Sequence, residues 1–99
     1  MTIRDGVLTI REYRDFYDIP RLMLAIDEEC NRWIFECSFD DDIDDYRMYY
    51  EIYEVHPGEQ DSEAVSNHLA RDNPSSADSV RVSALHFDDS YRHTFSVES

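Results

Sequence analysis

The run Arg21-Leu22-Met23-Leu24-Ala25-Ile26 is apolar at successive positions, the pattern of a strand covered on both faces rather than half exposed. It is read as the central strand of a sheet. After the polar stretch Asp27 to Arg32, the segment Trp33 to Phe39 alternates. Trp33, Phe35, Cys37 and Phe39 fall on one face, and Ile34, Glu36 and Ser38 on the other, which predicts a hairpin partner for the central strand. Met48 to Val55 is dense in tyrosine and branched side chains that pack well on a pleated surface, and predicts a third strand.

The flanking segments complete the set. Val7 to Phe16 begins apolar and turns charged, with Leu8 and Ile10 opposite to Val7 and Thr9; it reads as an outer strand whose arginines and acids blunt an exposed edge. Pro20 makes Tyr17 to Pro20 a bend, because it restrains Ile19 and has no N–H to give a ladder. His56-Pro57-Gly58 is a stop signal, and Glu59 to Arg71 is the one helical stretch. In it Ala64, Val65, His68 and Leu69 share a face, Asp61 or Ser62 is the expected cap, and Arg71 sits in the last turn, where the helix dipole favours a cation. Asp72 to Asp78 is loop chemistry, Ser79 to Phe87 a strand, Asp88-Asp89-Ser90 a turn and Tyr91 to Val97 a final strand. The fold class expected is α+β, mainly antiparallel β, in a curved or barrel-like sheet of five to six strands with one short helix. A small five-stranded barrel is the specific architecture.

Length and composition support this. A chain of 99 residues is one domain by size and buries about two thirds of its unfolded surface. Its 41% hydrophobic and 13% aromatic content supplies a core. The formal charge of -14 is large for this size; its field repels nucleic acid and anionic lipid and attracts basic partners and cations. All nine basic residues are arginine. No apolar signal segment follows Met1 and no run approaches the ~18 apolar residues of a membrane span, so a cytoplasmic location is expected. Cys30 falls in a turn and Cys37 well along a strand, a placement that predicts two free thiols, with Cys37 a small core residue.

The sharpest candidate for chemistry is Asp40-Asp41-Asp42-Ile43-Asp44-Asp45, five carboxylates in six positions. The plainest reading is one helical turn anchored by Phe39, Ile43 and Tyr46, with its aspartates in water. As a calcium loop, Asp40, Asp42, Asp44 and Glu51 occupy positions one, three, five and twelve, yet position six, which needs glycine, is Asp45. As a recognition surface, the aspartates, joined by Asp27, Glu28, Glu29 and Glu51, engage a partner's basic side chains. Tyr46, Tyr49, Tyr50 and Tyr53 lie close by in sequence, and tyrosine suits interface cores. A two-residue turn at Asp89-Ser90 would set His86 opposite His93, with Asp88 near them, as a thin divalent-metal candidate. His56 and His68 have no motif around them, and no Ser-His-Asp elbow or other family signature marks the chain.

The leading expectation is therefore a non-enzymatic interaction module that binds a basic protein partner, in the role of an inhibitor, an immunity-type protein or a decoy of nucleic acid. Its binding surface is Asp40, Asp41, Asp42, Asp44, Asp45, Tyr46 and Tyr49, with no cofactor. Calcium binding through Asp40 to Glu51 is the alternative. Direct nucleic-acid or membrane contact is not expected.

Overall fold

The computed structural model describes residues 6–17, 19–70, 78–87 and 93–97. Along the chain these form β1 Gly6–Tyr17, β2 Ile19–Ile26, β3 Arg32–Glu36, β4 Phe39–Asp40, β5 Asp45–Tyr46, β6 Tyr49–Glu54, α1 Asp61–Ala70, β7 Asp78–Arg81, β8 Leu85–Phe87 and β9 Thr94–Val97. Seven strands make one antiparallel sheet in the order β7-β6-β3-β2-β1-β9-β8, while β4 and β5 pair only with each other. The large sheet curls into a nearly closed barrel, with one strand more than the upper count expected from sequence. β2 is the middle strand of the seven, as its unbroken apolar run predicts.

Alternation along each strand sorts side chains between two cores. Leu8, Ile10, Met23, Ala25, Trp33, Phe35, Cys37, Tyr50, Ile52, Leu85, Phe95 and Val97 fill the barrel. Phe35 stands at its centre, fully buried, in edge-to-face contact with Tyr50 at 6.0 Å and with Phe95 at 5.4 Å. The opposite face of β2, β3 and β6 gives Leu22, Leu24, Ile34 and Tyr53, which with Val55 are covered by Ala64 and Val65 of α1. Both faces of the central strands are thus dry. The two-sided apolar pattern of β2 is the reason the one helix lies where it does.

Polar contacts fix the start of that helix. Asp61 meets Arg32 at 3.0 Å and Arg11 at 3.2 Å, and Arg32 also donates to the His56 carbonyl at 2.7 Å. Arg11 is the extra residue of a bulge in β1, where the register with β2 slips between Ile10 and Glu12; such a bulge re-aims a side chain, here onto the helix. Asp61 therefore acts as an anchor to the sheet. Leu69, expected on the buried stripe, is exposed, whereas Ala64, Val65 and His68 are buried.

Four expectations need correction or qualification. The segment Ser79 to Phe87 is two strands, interrupted by a 3-10 turn at Val82–Ala84, and these lie at opposite edges of the sheet. The turn shifts the phase by one residue, so the half-buried inward set Val80 and Val82 gives way to Leu85 and Phe87. Simple alternation cannot survive there, because the chain must cross the seam of the barrel. The closing hairpin pairs His86 with Ser96 and Phe87 with Phe95, so His86 does not face His93 and the two-imidazole site is not formed. β1 is an outer strand in part only: Gly6 to Thr9 pair with β9. Arg71, the loop over 72–77 and the turn and strand start over 88–92 lie outside the described residues.

The central ring cluster makes a direct prediction. Phe35→Ala is expected to cost about 3–5 kcal/mol of unfolding free energy, through lost transfer energy and a residual cavity, whereas Leu69→Ala on the exposed helix face stays within about 0.5 kcal/mol. Chemical denaturation of both variants checks this; similar costs for the two would contradict the packing around Phe35.

Candidate protein-interaction surface

The acidic run is carried on an arm that leaves the barrel. β3 and β6 pair from Trp33 and Glu54 as far as Glu36 and Glu51 and then part. On one side the Cys37 N–H donates to the Arg21 carbonyl of β2 at 2.7 Å; on the other the Val82 N–H donates to the Met48 carbonyl at 3.0 Å. Each strand thus follows its outer neighbour around the barrel. The two chains meet again where the Arg47 N–H donates to the Ser38 carbonyl at 2.9 Å, and continue as the pairs Phe39 with Tyr46 and Asp40 with Asp45.

A turn over Asp41 to Asp44 closes the arm. The Ile43 N–H donates to the Asp40 carbonyl at 3.3 Å, Asp40 Oδ1 accepts from the Asp42 N–H at 3.0 Å, and Asp44 takes a left-handed φ of 53°, a conformation that aspartate tolerates better than most residues. The expected single helical turn is therefore a hairpin turn. Phe39 and Tyr46 do meet, edge to face at 5.3 Å, but as cross-strand partners, and Ile43 is exposed rather than turned inward.

Two arginines hold the base of the arm. Arg47 Nη1 donates to Tyr49 Oη at 3.0 Å and to Glu51 Oε1 at 3.3 Å, and its Nε lies 3.8 Å from Asp40. The Arg21 guanidinium lies 4.1 Å from the centre of the Tyr46 ring and donates to Cys37 Sγ at 3.4 Å; that thiol donates to the Arg47 carbonyl at 3.0 Å. Contacts of this kind near the surface are individually weak, because water screens them. Asp41, Asp42, Asp44 and Asp45 form no ion pair with a cation among the described residues, and all four are exposed.

The remaining predicted residues divide. Tyr49 is at the surface and Tyr46 half-buried, whereas Tyr50 and Tyr53 are interior; Tyr50 donates to the Pro20 carbonyl at 2.7 Å. Asp27, Glu28 and Glu29 sit in the β2–β3 turn, at the other end of β3 from the arm, roughly 16 Å away along five residues of strand. Asp27 is occupied there, its Oδ1 accepting from the Glu29 and Asn31 N–H groups and its Oδ2 from the Trp33 indole. Cys30, in the same turn, and Cys37 are both free thiols, one exposed and one buried. Glu51 is engaged by Arg47 and Tyr53 instead of joining Asp42 and Asp44. Among the described residues no three His, Cys, Asp or Glu side chains are grouped to hold a metal ion.

A polar cluster that the sequence did not reveal links the helix to the arm. Glu36 and Glu51 face each other across β3 and β6. His68, buried on α1, sets its Nε2 3.1 Å from Glu36 Oε1 and its ring 4.4 Å from that of Tyr53, while Tyr53 donates to Glu51 at 2.6 Å. The clue was a polar residue inside an apolar helical stripe, which calls for a polar partner on the covered sheet face. Glu36, two positions from Ile34, is that partner. No protein-family model, curated protein or solved structure matches the chain.

Two phenols report on these contacts. Burial, reinforced by the Cys37 thiol, raises the pKa of Tyr50; burial, then the hydrogen bond to Glu51, raises that of Tyr53. The folded chain keeps both protons above the ordinary phenol value of about 10, where the unfolded chain releases them. The stability they contribute is complete below that pH and is lost as pH rises past it. Phenolate absorbance is expected to show Tyr50 and Tyr53 ionising only above that value in the folded chain. Tyr50→Phe and Tyr53→Phe should each remove one late step, and a late phase that neither substitution changes would refute the assignment.

Proposed function

We propose that this chain is a non-enzymatic interaction module whose acidic arm binds a basic protein partner in the cytoplasm, as an inhibitor, an immunity-type protein or a decoy of nucleic acid would. The observation that carries this reading is the set of four exposed carboxylates, Asp41, Asp42, Asp44 and Asp45, crowded on one turn with no ion pair among the described residues. Crowding of like charge raises the energy of the turn until an opposite charge arrives. A net charge of -14 steers cationic surfaces toward it and phosphate backbones away. Tyr49, exposed beside the arm, adds the amphipathic ring that interfaces favour. No helix among the described residues is long and apolar enough to cross a membrane.

Neutralising the arm tests the reading. Asp41, Asp42, Asp44 and Asp45 are all changed to Asn, which keeps the side-chain oxygens and tolerates the left-handed position at residue 44. Asp40 is left in place because it caps the turn and meets Arg47. In capture from source-cell extract, a basic protein is expected to bind the wild-type chain at low ionic strength. It should be lost from the Asn variant, and from the wild type as the screening length falls from about 10 Å at 0.1 M to about 3 Å at 1 M salt. Retention that is the same for both proteins at every salt would rule the arm out as the binding surface.

A further inference from the structure

The arm is not purely acidic. Phe39 is 49% exposed, Ile43 59%, Met48 82% and Tyr49 36%, so four of the seven large apolar side chains exposed among the described residues fall within eleven consecutive positions on the arm and its hinge. Two chain pairs define the faces of the ribbon. Phe39 and Tyr46 share one face, and the next pair, Asp40 and Asp45, takes the other. Among the described residues no third strand flanks β4 or β5, and Phe39, edge to face with Tyr46, stays half exposed.

A surface that acted by charge alone would gain nothing from these side chains, each of which leaves apolar area in water that burial would favour. Exposed apolar side chains on the same short arm as a crowd of carboxylates instead supply the two ingredients of an interface, an apolar core and a charged rim. The rim sets the sign of the occupant. A second copy of this chain would bring four more unpaired carboxylates against the first four and a further charge of -14, which opposes self-association.

Resting on the reading that the arm binds a basic protein, we infer that its occupant is a cationic amphipathic segment. Bulky apolar side chains of the partner cover Phe39, Ile43 and Met48, while flanking arginines or lysines meet Asp41, Asp42, Asp44 and Asp45. Arginine suits the rim, because this chain already places guanidinium groups against tyrosine rings at the arm's base, Arg21 on Tyr46 and Arg47 on Tyr49.

Two synthetic peptides of equal length and charge test this by titration calorimetry with the full chain: one alternating arginine with leucine, the other arginine with serine. The leucine peptide is expected to bind about tenfold tighter, as burial of two partly covered side chains allows, and to keep part of its affinity in high salt. In an I43S/M48S variant, which alters only exposed positions and whose fold is checked by thermal melting, the two peptides should bind alike. Equal affinity of both peptides for the wild type would overturn the inference and leave the electrostatic reading standing. Binding of neither peptide would overturn both. Self-association of the wild type that strengthens with salt would identify a second copy as the occupant and overturn the inference.

Discussion

The contact of Phe35 with Phe95 at 5.4 Å is the one on which the architecture depends. The two rings belong to β3 and β9, which are separated in the sheet by β2 and β1, so they touch across the interior and not along the surface. A flat sheet would hold them apart by three strand spacings of about 4.8 Å each. Meeting requires the sheet to curl, and curling brings Leu85 and Phe87 of one edge into the same core as Val80 of the other. With the inner face consumed in this way, the apolar positions left on the outside of β2, β3 and β6 need separate cover, which α1 supplies.

Curvature also explains the arm. Where β3 and β6 part, each keeps its outer neighbour, β2 or the segment entering the 3-10 turn, and the hairpin tip departs from the barrel. Arg47 occupies the divergence, joined through its backbone to Ser38 and Cys37 and through its side chain to Tyr49, Glu51 and Asp40. The barrel thus presents the aspartates on a short ribbon whose base is built and whose tip is charged. The cluster of His68, Glu36, Tyr53 and Glu51 ties that base to the helix, so the same polar groups serve helix docking and arm placement.

The charge distribution is uneven in a way that bears on function. Several acids elsewhere have structural partners: Asp61 meets two arginines, Asp27 closes a turn, and Glu36 and Glu51 face donors. The four carboxylates of the arm's turn instead face water, crowded together. With two glycines in the chain, neither at positive φ, the left-handed turn positions fall to Cys30 and Asp44. One of the arm's own acids is therefore also what lets its turn close.

Alternation and apolar runs were enough to identify β2 as central, to pair β3 with it, to assign β6 and α1, and to separate buried Cys37 from exposed Cys30, because those features depend on side chains within a few residues of one another. They also placed the acidic run directly after a core strand. Tertiary structure decided the rest. Ser79 to Phe87 breaks in two because the barrel seam runs through it; His86 misses His93 because the register of the closing hairpin follows Phe87 on Phe95; Asp27 to Glu29 are separated from the aspartate run by the length of β3. Whether Tyr50 and Tyr53 belong to the surface or the interior, and that Glu36 meets His68, depended on which face of a curved sheet is enclosed and which the helix covers. Local sequence pattern does not settle that choice, since each face of β2 and of β6 carries apolar side chains.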